Sequence, residues 1–307
     1  MPFEISPHPT VETLLSARRR FDTEAMPGVV QTPRYRLRYH DWGNGLPIIF
    51  AHGMIDTTRS FCMQMRGMVD AGFRCIGYEL ANGGPDGANL GVYRQHHYAE
   101  DLIALLDHLQ LPRVDIQGSS FGSTVALSAL ARFPDRFRRA VLQGGFARRP
   151  LIRIERGLAR LGRYWPWTMS QLVLRPQVMR RLEGGQFTGC PPEIFEFLLE
   201  CSGTNPIRAA SRRALILDKL DLRPLLPGIR HPILMIGGDR DGLVPRSAEA
   251  EVETGCPNAR RIEFSPCGHY PQYTMPDPMT AAMVPFLRVL RGSSANSRRL
   301  SDPAGVD

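Results

Sequence analysis

Short, uninterrupted apolar runs alternate along the chain with stretches in which apolar residues recur every three or four positions. Residues 34–40 place Tyr35, Leu37 and Tyr39 on one face and arginines mostly on the other, the pattern of a half-buried antiparallel strand. Gly43, Asn44 and Gly45 then turn the chain into residues 46–51, which are apolar throughout, as in a strand covered on both faces. Similar runs recur at 73–80, 114–117, 140–142, 232–236 and 261–264. Between them, residues 97–109 set Tyr98, Leu102, Leu105, Leu106 and Leu109 on one helical face, with Glu100, Asp101 and Asp107 mainly opposite. Residues 124–133 and 278–290 also read as helices. This alternation predicts an α/β fold with a mostly parallel central sheet flanked by helices.

The alternation breaks between residues 146 and 227. Four helices are expected there, at 151–163, 168–182, 192–201 and 206–217, and no strand. The stretch is too long for a simple crossover and too apolar for a disordered linker. It is read as a helical cap over residues 147–226, inserted into a core of residues 26–146 and 227–292. Residues 1–25 form an N-terminal extension, and residues 293–307, rich in Ser, Asn, Arg and Gly, a disordered tail.

A chain of 307 residues can bury such a core. Its formal net charge is +8, yet Lys219 is the sole lysine. That arginine skew reads as a solvated basic surface, and no nucleic-acid partner is expected. The N-terminus has no secretory pattern and no apolar run approaches the ~18 residues that span a bilayer, so a cytoplasmic location without stable membrane insertion is expected. Six scattered cysteines, without C-x-x-C pairs, are expected as free thiols; Cys190 with Cys201, or Cys256 with Cys267, would pair only in an exported chain. No metal-ligand spacing appears, and no cofactor is expected.

The chemistry concentrates at Gly118-Ser119-Ser120-Phe121-Gly122, a G-x-S-x-G directly after a short strand and before a helix. A nucleophile on so sharp a turn needs small neighbours, and the helix start favours developing negative charge. Ser119 lacks the paired glycines and is read as a neighbour shaping the pocket. A serine hydroxyl also needs a base and an orienting acid. His269 follows Gly268 in a loop after residues 261–264, and both Asp239 and Asp241 follow the run at 232–236. The order Ser, Asp, His, each after a strand, puts all of them at the carboxyl edge of a parallel sheet.

With His52-Gly53 after an apolar strand, the serine turn, the G-x-x-D-x-x-V-P loop at 238–245 and Gly268-His269, the chain resembles the α/β-hydrolase superfamily with a helical cap, from about Tyr35 to Leu290. The resemblance implies Ser120 as nucleophile, Asp241 as acid ahead of Asp239, and His269 as base. It implies an oxyanion hole from the N–H groups of Met54 and Phe121, with His52 structural. The function it implies is hydrolysis of an ester-like acyl bond of a small, apolar substrate through an acyl-enzyme. C–C bond hydrolysis, acyl transfer and a non-catalytic ligand-binding scaffold are the alternatives. Several positions depart from the usual pattern: Met54 to Arg59 in place of a glycine-rich turn, Tyr78 to Pro85 after the next strand, Ser123 after Gly122, and Thr274 beyond the histidine. They bear on the substrate rather than the fold. Trp165-Pro166-Trp167 is expected to cover an apolar pocket, ahead of contacting a membrane surface, and Arg153, Arg156, Arg160 and Arg163 to be a solvated face.

Overall fold

The computed structural model describes residues 8–289; the tail assigned to residues 293–307 lies outside them. The chain runs through α1 (Val11–Glu24), β1 (Met26–Gln31), β2 (Arg36–Trp42), β3 (Leu46–Ala51), α2 (Cys62–Asp70), β4 (Phe73–Tyr78), α3 (Gln95–His108), β5 (Val114–Ser119), α4 (Phe121–Arg132) and β6 (Phe137–Gln143). It continues through α5 (Arg153–Gly162), α6 (Arg175–Glu183), α7 (Pro192–Gly203) and α8 (Ile207–Leu217), then β7 (Ile233–Gly238), α9 (Arg246–Gly255), β8 (Ala259–Phe264), α10 (Pro271–Thr274) and α11 (Pro276–Arg288). The eight strands form one sheet in the order β1-β2-β4-β3-β5-β6-β7-β8. β1 and β2 pair antiparallel, as do β2 and β4, and the remaining pairs are parallel.

Alternation along the central strands divides the core. Ile49, Ile76, Ile116, Leu142 and Met235 face α3 and α4, whereas Ile48, Phe50, Cys75, Val141 and Leu234 face α1, α2 and α11. With both faces covered, β3 and β7 read as continuous apolar runs, while β5 buries Asp115 and Gln117 among its apolar residues. α1 is an integral part of the second layer: Leu14, Ala17 and Phe21 are buried there, and the Thr10 hydroxyl accepts the Thr13 N–H at 3.1 Å to start the helix. β1 carries Pro27 and Gly28, which break strand periodicity but suit an edge; Gly28 opposes Tyr39, whose ring lies where a Cβ would stand.

Residues 153–217 are helical and add no strand to the sheet. The helix expected over 168–182 is broken, with a tight turn at Met169–Gln171 and α6 beginning only at Arg175. Pro176 lacks an N–H and fits only the first turn of a helix, so it starts a new one there. α7 packs into the second core layer through Ile194, Phe197 and Leu198, beside α1. All six cysteines are free thiols.

Candidate active site

Ser120 joins β5 to α4 with φ 51° and ψ −113°, a left-handed conformation strained for a residue with a side chain. Such strain costs about 1–3 kcal/mol and must be held by the surroundings. Here the Ser120 N–H donates to the Gln143 carbonyl at 2.8 Å, and the Ser123 N–H and hydroxyl donate back to the Ser120 carbonyl at 2.9 and 2.6 Å. The flanking glycines are steric requirements. A Cβ on Gly118 would stand 2.4 Å from the Gly122 carbonyl oxygen, and one on Gly122 would stand 2.0 Å from that of Ala51.

Because β5, β7 and β8 are parallel, the loops leaving them gather at one edge of the sheet. There His269 Nδ1 lies 2.7 Å from Asp241 Oδ2, and both side chains are 5% exposed. The other Asp241 oxygen accepts the N–H groups of Leu243 and Val244 at 2.8 and 2.9 Å. Burial alone would raise the Asp241 carboxyl, but His269 and the two amides outweigh it and hold the group below its ordinary value. Asp239 does not reach the histidine ring. It accepts the Ser265 hydroxyl at 2.7 Å and the Cys267 N–H at 2.8 Å, closing the loop that carries His269. Gly144, at φ +51°, faces the pair: a Cβ there would lie 2.8 Å from His269 Cε1. Gln143, which holds Ser120 through its carbonyl, also donates from its side chain to the His269 carbonyl at 3.1 Å.

Gly53 lies against the serine, its Cβ position 3.8 Å from that of Ser120. No described residue accepts a hydrogen bond from the N–H of Met54 or Phe121, the two implied oxyanion donors. His52 is fully buried; its Nε2 accepts the Leu80 N–H at 3.1 Å, so Nδ1 carries the proton donated to the Gly53 carbonyl at 2.8 Å. Burial first, then the nearby Arg213 charge, push it down to about 3, and the neutral ring is a structural brace of this loop.

Three contacts from the helical stretch reach the loops around Ser120 without any sequence motif to announce them. Arg213, 0% exposed on α8, donates to the Met54 carbonyl at 2.6 Å, the Ala81 carbonyl at 2.9 Å and Asn82 Oδ1 at 2.6 Å. It makes no ion pair with any described carboxylate. Asn205 donates to the carbonyls of Ile55 and Asp56 at 2.8 and 3.0 Å, and Gln186 Oε1 accepts the His269 N–H at 2.5 Å. Trp165 and Trp167, expected to face inward, are 43% and 46% exposed. The arginines of α5 do not act as one solvated face: Arg156 pairs with Asp218 at 2.7 Å, while Arg160 and Arg163 line a cavity.

Residues 47–184 match the family model described as alpha/beta hydrolase fold. The AB hydrolase superfamily protein YisY of Bacillus subtilis is 26% identical over 80% of this chain and 93% of its own. The 2-hydroxymuconate semialdehyde hydrolase of Pseudomonas putida is 28% identical over 78% of this chain and 85% of its own. The structure of a thermophilic esterase from Thermogutta terrifontis superposes with a TM-score of 0.70 at 23% identity, covering 87% of this chain and 98% of the esterase. Sheet order, the strained serine turn and these likenesses agree, and the chain belongs to the α/β-hydrolase superfamily.

Proposed function

We propose that the protein is a serine hydrolase that cleaves ester-like acyl bonds of small, apolar substrates. One observation carries the reading: the strained Ser120 turn and the Asp241–His269 pair occupy the same edge of the sheet. His269 Nε2, on the side of the ring away from Asp241, takes the Ser120 proton as Oγ attacks the carbonyl carbon. Asp241 fixes the tautomer and offsets the imidazolium charge. The Met54 and Phe121 N–H groups receive the oxyanion, a contribution of roughly 3 kcal/mol per donor. The proton on His269 passes to the departing alkoxide. Water, deprotonated by the same histidine, then attacks the acyl-serine and releases the acid.

A second reading keeps the three groups and changes the bond to a carbon–carbon bond beside a carbonyl; the similarity to 2-hydroxymuconate semialdehyde hydrolase favours it. Turnover of p-nitrophenyl esters against a semialdehyde substrate separates the two. A fluorophosphonate probe should label the wild type and spare Ser120→Ala, with ester hydrolysis falling at least about a thousandfold. Labelling that survives the substitution would remove Ser120 from the chemistry.

A further inference from the structure

We propose that the face formed by α5 and the turn after it docks on an anionic lipid surface, a role independent of the catalytic reading. Eleven of the eighteen exposed large apolar side chains among the described residues fall within residues 152–182. On α5, Ala159 and Gly162 take the packed side, Gly162 so close to α8 that a Cβ would stand 2.3 Å from Ser211 Oγ. Ile154, Leu158 and Leu161, spaced four and three apart, share a different side and are 65–71% exposed. Tyr164 and Trp165 continue this apolar surface, Trp165 set edge-to-face against Trp167 at 5.5 Å, the amphipathic rings that favour a lipid–water boundary.

The charge beside this face identifies the occupant. Residues 148–183 hold nine arginines and two glutamates; Arg148, Arg149, Arg156 and Arg180 are ion-paired and Arg175 is buried, while Arg153, Arg160, Arg163 and Arg181 have no ion pair among the described residues. Arg153, Arg156, Arg160 and Arg163 recur three or four positions apart on a third side of α5, separate from the apolar and the packed sides, and of the four only Arg156 is ion-paired among the described residues, to Asp218. Next to it opens a cavity of about 550 Å³ lined by Arg94, Arg160, Arg163, Arg212 and Lys219. None of these five forms an ion pair within the described residues, and the one carboxylate in the lining, Asp218, is engaged by Arg156 at 2.7 and 2.8 Å. A second copy docking here would set arginine against arginine. Lipid phosphates neutralise them while the apolar face enters the acyl boundary, and each basic residue near such a surface adds about fivefold in affinity.

Vesicle co-sedimentation tests this, using phosphatidylcholine alone and phosphatidylcholine mixed with phosphatidylglycerol. The wild type should bind the mixed vesicles at least about tenfold more tightly than the neutral ones. Ile154→Ser/Leu158→Ser/Leu161→Ser should lose binding by at least about tenfold, and Arg160→Gln/Arg163→Gln should lose the preference for phosphatidylglycerol. Thermal melts of both variants within a few degrees of wild type establish that they fold; since all these side chains but the Arg163 stem are largely exposed, single serine substitutions serve if the triple variant does not. Absent or unchanged binding overturns the proposal. So does wild-type self-association that the serine variant abolishes, which assigns the face to a second copy, or displacement from vesicles by millimolar inorganic phosphate at constant ionic strength, which assigns the cavity to a soluble anion.

Discussion

Two regions meet around Ser120 and are built on opposite plans. The loops leaving β5, β7 and β8 hold Ser120, Asp241 and His269 by contacts among neighbouring strand ends, with glycines at 118, 122 and 144 clearing the space. The helical stretch from α5 to α8 reaches the same place by single polar side chains that cap backbone carbonyls: Arg213 on Met54 and Ala81, and Asn205 on Ile55 and Asp56. The sheet edge hides its apolar residues on both faces, while α5 leaves Ile154, Leu158 and Leu161 in water. The difference teaches that the placement of Ser120, Asp241 and His269 is a property of the sheet, and that the geometry of the loop at Gly53 to Asp56 is shared with the helices.

The sharpest test of the first half distinguishes the two aspartates. Asp241→Asn should lower kcat on a p-nitrophenyl ester by about 10³–10⁴, because an amide in place of the carboxylate stabilises the wrong imidazole tautomer. Asp239→Asn should cost less than about tenfold in kcat, since its carboxylate bonds Ser265 and Cys267 and never the ring. A larger loss from Asp239→Asn would reverse the assignment and break the view that the β7 loop supplies the acid through Asp241.

For the second half, Arg213→Met should lower kcat by about 10–100-fold with little change in KM and destabilise the fold by about 3 kcal/mol, read by urea unfolding. The substitution leaves the Met54 and Ala81 carbonyls buried without a donor and frees the loop that presents the Met54 N–H. Arg213→Lys should rescue little, because a single ammonium cannot reach the separate acceptors that the planar fork spans. Full activity in Arg213→Met would mean that the helices do not set the oxyanion loop.

The uneven legibility of the chain follows from the same contrast. The strain at Ser120 demands glycines at fixed offsets, and the buried parallel strand β3 announces itself as an apolar run. These are local requirements, written within a few residues. Arg213, Asn205 and Gln186 bind main-chain groups far away in the chain, and a carbonyl or amide has no residue identity to search for. Trp165 and Trp167 show the limit of composition: the same residues suit an inner or an outer face, and only the packing of Ala159 and Gly162 against α8 decides which way α5 turns. α2 leaves no amphipathic trace in the sequence, because Cys62, Met63, Gln64, Met65 and Met68 are all buried, which erases the helical periodicity.

The smallest effect isolates the loop where the two regions join. Asp56 is 6% exposed and accepts the Tyr273 hydroxyl at 2.9 Å and the Thr57 N–H at 3.0 Å. Burial raises its carboxyl from 3.8 to about 6 despite those bonds. The folded chain therefore holds a proton that the unfolded chain releases, so this stabilisation is complete below about pH 4 and is lost as pH rises through 6. His52 has the opposite sign: held neutral to about 3, it stabilises the fold above its ordinary value near 6.5 and less as the solution is acidified. Because His52 is present in both proteins, comparing wild type with Asp56→Asn cancels its contribution. From pH 7 to pH 5 the wild type should gain about 1 kcal/mol relative to the variant in urea unfolding. Parallel pH profiles would show that the carboxyl is hydrated in the folded chain, and that Asn205 and Arg213 do not seal the oxyanion loop from water.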